Sequence, residues 1–233
     1  MSFLDVFWKM VRYNLKIVFG NKFIYFLSGA TAFFIFVTVM NILEDSNPRE
    51  STVYYLLLFP GILLVFYPST FGIQNDEDAR ILEILFGIPN YRYKVWLVRL
   101  LLMFVITFIV LLALSFLGSM AIYPTDIWEM GGEIMFPITF LGCLGFMLST
   151  LIRNGNGTAV VMIIVGIIFW ISSGILDESA WNIFLNPFEA PADNMNEVVW
   201  ERMLYNNRIY LVVGSIIALL YGLVNLQKRE KFV

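Results

Sequence analysis

The sequence predicts an all-α integral membrane protein, with six transmembrane helices preceded by an in-plane amphipathic helix. Two observations carry this. Of its 233 residues 59% are hydrophobic and only 14% charged, with a mean hydropathy of +0.78, whereas soluble domains are about half apolar and about a quarter charged. Charge-free stretches long enough to cross a bilayer recur at residues 23–43, 51–75, 100–125, 134–152, 154–176 and 209–227. Lipid offers a backbone no hydrogen-bond partner, and such long apolar runs do not alternate as barrel strands do, so each stretch reads as helix.

Composition also excludes much chemistry. Histidine is absent and Cys143 is the single cysteine. That removes histidine-ligated haem, Cys/His zinc clusters, Ser-His-Asp and Cys-His nucleophilic sites and an intrachain disulfide. No catalytic group and no metal ligand set is assigned. The net charge of -3 gives no overall attraction for nucleic acid.

Along the chain, residues 1–22 come first. Asp5, Lys9, Arg12 and Lys16 fall at i, i+4, i+7 and i+11, a narrow polar stripe among Phe3, Phe7, Trp8 and Leu15, which describes a helix lying in the plane of the membrane and drawn to its lipid. Gly20-Asn21 is the expected stop before the first span. Because a charged segment precedes it and no small-residue cleavage site follows, span 23–43 is expected to be retained rather than cleaved as a signal. Span 51–75 contains Pro60, Gly61 and Pro68, which predict a kink or a break and make this helix the candidate gate.

The segment 76–94 is the most informative. Asp76, Glu77 and Asp78 are expected at a helix N-terminus, followed by Ile81, Leu82, Leu85 and Phe86 at helical spacing, with Gly87 and Pro89 as the stop. One apolar face on a short polar loop invites the membrane surface or a protein partner, and the residues alone leave both open. Spans 100–125, 134–152 and 154–176 follow. The segment 177–208 is rich in acids and carries Trp181, Phe184, Leu185 and Trp200, so one or two short helices at the membrane interface are expected there. In span 209–227, Gly214, Ala218 and Gly222 share a face at i, i+4 and i+8, and Gly142 and Gly145 do the same in span four, permitting close helix approach. No charge lies inside the six stretches, which disfavours ion- or proton-coupled transport.

Orientation follows from the basic residues. With the N-terminus inside, 12 of the 15 Lys and Arg lie inside against 6 of the 18 acids, and only Arg49, Arg202 and Arg208 are left outside. Both termini are therefore expected in the cytoplasm.

The run ILEILFGIP, with Leu82, Glu83 and Pro89 followed by Arg92 and Arg99, resembles the cytoplasmic loop between spans two and three of ABC-2 type permeases, the membrane subunits of prokaryotic ABC exporters. The shared features are an acidic start, a Leu-Glu core, a proline six residues past that Glu and a basic residue opening the next span. Arg80-Ile81 stand where those permeases usually have Gly-Thr. The amphipathic N-terminal helix, the six spans, the Asn186-Pro187-Phe188 turn and the basic tail QKREKFV extend the resemblance along the chain.

The resemblance implies a single ABC-2 type transmembrane domain over 1–233, in the prokaryotic plasma (inner) membrane. It implies a coupling helix built from Asp76, Glu77, Asp78, Ile81, Leu82, Glu83, Leu85, Phe86, Pro89 and Arg92 that docks in a cleft of a cytoplasmic ABC ATPase. The chain has no Gly-x-x-x-x-Gly-Lys-Ser/Thr run, so ATP and Mg are expected on that separate subunit, no cofactor on this chain, and a permease rather than an enzyme. A second permease subunit, a homodimer partner or a sister chain, is implied as well. The implied function is outward movement of an amphipathic or lipid-like substrate, such as a lipid, peptide or drug. The alternative is a non-transporting membrane partner that passes ATP-driven motion to an envelope or assembly machine.

The topology is testable with cysteines placed at Asp193 and Gln227 and labelled in intact cells by an impermeant reagent. Labelling is expected at Asp193 and protection at Gln227; the reverse pattern would invert the orientation.

Overall fold

The computed structural model describes residues 16, 18–20, 22–43, 47–78, 92–152, 154–191 and 195–226. They form six helices: α1 (Phe23–Leu43), α2 (Glu50–Asp78), α3 (Val98–Ala121, entered through a π-helical turn at Arg92–Leu97), α4 (Ile127–Ile152), α5 (Gly155–Ile175) and α6 (Glu197–Asn225). Each is long and apolar enough to cross a membrane, as the six charge-free stretches require.

The helices outrun those stretches because absence of charge marks the bilayer crossing and not the helix ends. α4 starts seven residues before position 134 and takes in Glu129 and Glu133. Its start is set by Asp126, whose Oδ1 accepts from Trp128 N and Glu129 N, both at 2.9 Å, satisfying donors the first turn would leave orphaned. α6 starts at Glu197, with Asn196 Oδ1 accepting from Val198 N at 3.1 Å. The short interfacial helices expected in 177–208 are therefore corrected: residues 177–191 run through turns, and the end of the segment is the first three turns of α6. α5 opens on Asn154, whose Oδ1 accepts from Gly157 N at 3.0 Å.

α2 and α4 form the centre. α2 packs against α1, α3, α4 and α5, and α4 packs against α2, α3, α5 and α6, while α1 and α5 keep most of their length exposed. Lipid tails are as apolar as leucine, so close packing rather than burial as such must hold these helices together. Small residues provide it. A Cβ on Gly61 would lie 2.0 Å from Ile138 Cδ1, one on Gly214 2.8 Å from Phe140 Cε2, and one on Gly222 2.7 Å from Phe146 Cε1. The face of Gly214, Ala218 and Gly222 is thus turned onto α4 of the same chain, with Ala218 only 4% exposed.

The prolines do not break their helices. α2 is continuous through Pro60 and Pro68, and α4 through Pro137, which corrects the expected break at the candidate gate. Next to Pro68, Ser69 Oγ and Thr70 Oγ1 both donate to Phe66 O, at 3.1 and 2.7 Å, hydroxyls bonded back to the preceding turn of the helix.

Of the N-terminal segment, Asp5, Lys9 and Arg12 lie outside the described residues. Lys16 is exposed, whereas Val18 and Phe19 enter the core, and Gly20 turns the chain with φ 53°, a left-handed conformation glycine adopts without strain.

Glycine substitutions should separate filled from open packing. Gly222→Ala is expected to lower stability by about 1–3 kcal/mol, because the Phe146 ring must move. Gly166→Ala meets nothing within 4 Å and should leave stability unchanged or raise it. Thermal unfolding of both variants in detergent checks this.

Candidate functional site

Polar side chains gather at the two ends of the bundle. One end, the termini end, holds the start of α1, the end of α2, the start of α3, the junction of α4 with α5, and the end of α6. There the last turn of α2 presents Asp76 to Arg99 in the first turn of α3, with Oδ2 and Nη1 2.5 Å apart and the side chains 10% and 17% exposed. A carboxylate at a helix C-terminus opposes the macrodipole, and the guanidinium offsets that. Arg99 also lies 5.0 Å from the centre of the Trp96 ring, and Trp96 packs against Phe146.

Three further contacts converge on the same end of α2. Asn75 Nδ2 donates to Tyr67 Oη at 2.9 Å, Lys22 Nζ sits 5.0 Å over the Tyr67 ring, and Gly155 N donates to Gln74 Oε1. Across the bundle, Asn225 Nδ2 donates to Thr150 O at 2.7 Å and ties the end of α6 to α4. The termini end of α2 is thus fastened to α3 and α5 and to the residue that leads into α1.

The opposite end, the loop end, centres on Arg208 of α6. Its Nε donates to Glu133 Oε2 of α4 at 2.7 Å, Nη1 to Asn207 Oδ1 at 2.7 Å and Nη2 to Leu185 O at 3.4 Å. Neighbouring Asn207 donates through Nδ2 to Ala180 O and Asn182 O, at 2.9 and 2.7 Å. Asn186 Nδ2 reaches Ser51 O at 3.2 Å, Tyr54 Oη reaches Leu185 O at 3.4 Å, and Tyr55 Oη donates to Glu189 Oε2 at 3.0 Å. Residues 177–191 are therefore laced down onto α2 and α6 by side chains far away in sequence. Asn186 Oδ1 also accepts from Phe188 N at 3.0 Å, which makes Asn186-Pro187-Phe188 a turn.

Two apolar lateral grooves lie between these ends. One, of about 680 Å³, separates α2 from α5; the other, of about 520 Å³, lies where α3 and α6 flank α4. Among the described residues, no three His, Cys, Asp or Glu side chains come together as metal ligands.

The residues singled out in the sequence fall as follows. Asp76 is in the ion pair with Arg99, and Glu77 and Asp78 are exposed. All three close α2, so their expected place at a helix N-terminus is corrected; α2 runs past position 75 because Asp76 finds a cation on α3. Ile81, Leu82, Glu83, Leu85, Phe86 and Pro89 lie outside the described residues, and Arg92 opens the π-helical turn. Glu133 with Arg208, and Arg99 as the partner of Asp76, are polar residues that the charge-free spans passed over. The signal was present: Glu133 and Arg208 are the last charges before positions 134 and 209, at one end of the bundle and of opposite sign. No protein-family model, curated protein or solved structure matches the chain.

The Arg208 side chain is 11% exposed and that of Glu133 28% exposed, so this pair is only partly desolvated. Arg208→Met is expected to lower stability by about 1–3 kcal/mol, and Glu133→Leu combined with Arg208→Met should recover part of that. The recovery stays partial because Asn207 and Leu185 O lose their donor as well. A double-mutant cycle on thermal unfolding measures it.

Proposed function

We propose that the chain is the membrane subunit of an ATP-driven exporter, seated in a prokaryotic inner membrane with both termini in the cytoplasm. It works beside a second permease subunit and with separate ABC ATPases that bind ATP and Mg. The observation that carries this reading is the segment 76–89, with its acidic start and the Leu82-Glu83 to Pro89 spacing, joining spans two and three. The ion pair of Asp76 with Arg99 supports it: it clamps together the two helices between which that segment runs. A displacement of the segment by a closing ATPase would pull on α2 and α3 at once. The lateral grooves, walled by leucine, isoleucine and phenylalanine, favour cargo with an amphipathic or lipid-like character, such as a lipid, peptide or drug.

The same segment would serve a membrane partner that passes ATP-driven motion to an envelope or assembly machine. The observation favouring that reading is the loop end, where residues 177–191 are held against α2 and α6 by side-chain hydrogen bonds. Vesicles containing the chain and its ATPase separate the two, since only the exporter moves a substrate across them.

The coupling role itself is tested at Leu82, Leu85 and Glu83. The double variant Leu82→Asp, Leu85→Asp buries unpaired charge in a docked face and should lose the ATPase in a pull-down. Glu83→Gln should reduce stimulation of ATP hydrolysis more than binding. A segment that lies on the membrane predicts instead that the Asp variants weaken lipid association. Full retention of the ATPase by the double variant, with insertion intact, would remove this segment from the coupling role.

A further inference from the structure

The ends of α2 and α3 meet twice. Asp76 pairs with Arg99, and one turn of α2 farther into the bundle Gly72 meets Trp96, where a Cβ on the glycine would lie 3.6 Å from Trp96 Cζ3. Trp96 precedes Arg99 in the chain, so its backbone lies nearer the end of the bundle, yet its ring is turned inward to this deeper level. There it packs against Phe146 of α4, with centroids 6.1 Å apart, and is 3% exposed. The Arg99 guanidinium lies 5.0 Å from the ring centre. Trp96 is thus inserted between the ends of α2 and α4.

The position is costly for an indole. Among the described residues, Trp96 Nε1 and Arg99 Nε are both buried and meet no acceptor, and a buried donor without a partner bears its whole desolvation cost. Tryptophan has a cheaper place close by, since at the membrane–water boundary its ring keeps apolar surroundings while its N–H is wet. Arg99, the charge that flanks the third span, lies three residues deeper than Trp96, so the Trp96 backbone is already at that boundary. The turn itself supplies a route. Arg92–Leu97 is π-helical, a geometry found as single turns at functional sites. Closing its i→i+5 bonds to i→i+4 rotates the turn against α3 by about 100°, the angle of one helical residue, and carries the ring off Gly72.

We infer that Trp96 is a movable wedge at the termini end, inserted in this structure and able to withdraw to the membrane interface. Inserted, it fills the space beside Gly72 and fixes the spacing of α2, α3 and α4. Withdrawn, it gives its N–H a partner and leaves the ends of α2 and α3 joined by Asp76 and Arg99. The ion pair is the latch on the wedge, because α2 must stay beside α3 for Gly72 to cover the ring. Against lipid tails the inserted ring gains only close fit, so one unpaired polar atom weighs heavily in the balance between the two positions. The inference does not rest on the exporter reading.

The test uses the full chain in nanodiscs of phosphatidylethanolamine and phosphatidylglycerol, with Cys143→Ala removing the native thiol and Gly72→Cys placing one under the ring. Alkylation of that thiol by a water-soluble maleimide reads how often the ring leaves it. Asp76→Asn is expected to raise the rate about tenfold, equivalent to ~1.4 kcal/mol. Replacing Trp96 with 3-benzothienylalanine keeps the bicyclic ring and puts sulfur in place of the N–H. This change is expected to lower the rate by a similar factor and, in the otherwise native chain, to raise the unfolding temperature by about 2–4 °C. A rate that does not rise with Asp76→Asn, or does not fall with the sulfur analogue, would overturn the proposal. So would an unfolding temperature that stays level or drops with the analogue, since the N–H would then be satisfied where it sits. If Gly72→Cys fails to insert, the unfolding temperature of the analogue decides alone.

Discussion

A charge at the edge of a membrane span must be paired or reach water, because the bilayer solvates neither a carboxylate nor a guanidinium. This protein meets that constraint twice, and the arrangement of the helices depends on it. Asp76 and Arg99 join α2 to α3 at the termini end, while Glu133 and Arg208 join α4 to α6 at the loop end. In both pairs each partner is the charge that immediately flanks a charge-free span. The pairing therefore sets the depth of one helix against another. Four spans are fixed along their axes by two contacts, and the apolar residues between need only supply close packing.

That packing is uneven for a physical reason. α4 receives aromatic rings and small residues alternately: Phe140 and Phe146 press toward Gly214 and Gly222 of α6, and Gly142 lies against Phe104 of α3. Close approach of this kind gains dispersion contacts that lipid tails cannot match in shape. α1 and α5 offer fewer such positions, with buried residues reduced to Ala30, Phe34 and Thr38 on α1 and to Gly155, Thr158 and Met162 on α5. They stay at the periphery and present isoleucine, phenylalanine and tryptophan outward. The loop end compensates for its irregular backbone with side-chain amides. Asn182, Asn186 and Asn207 are all nearly fully buried, and each satisfies backbone groups that turns leave without partners.

Much of the fold was legible in the sequence, because the bilayer imposes a length and a polarity that composition displays directly. All six spans could be placed on that basis. Helix ends were not legible, since the rule that finds a span, the absence of charge, discards Glu133 and Arg208, the residues that prove to be paired. The run from Glu197 to Arg208 looked like a separate interfacial element because its charges interrupt the hydropathy; in the bundle it is the same helix as the sixth span, capped by Asn196. Pro60 and Pro68 pointed to a kink or a break in the second span; the helix runs unbroken through both, packed against four neighbouring helices. At the loop end, the partners of Asn186 and Tyr54 lie more than 100 residues away, beyond any local pattern. The segment 79–91, where the resemblance is most specific, falls outside the described residues.

Helix α2 has a position that bears on how motion could cross this bundle. Its 29 residues extend about 43 Å at ~1.5 Å per residue, farther than the hydrocarbon core. At one end Gln74, Asn75 and Asp76 hold α5, the Tyr67 ring and α3; at the other, Ser51, Tyr54 and Tyr55 hold residues 185–189. A continuous helix fastened at both ends links the contacts at Asp76 to those at Tyr54 through one unbroken element. In the exporter reading, that makes α2 the strut between the ATPase side and the outer loop, and the continuity of the helix through Pro60 and Pro68 becomes a requirement of the mechanism. A hinge there would absorb the displacement before it reached the loop end. The close fit of Gly61 against Ile138 and Leu111 opposes such bending at the level where the first proline would otherwise permit it.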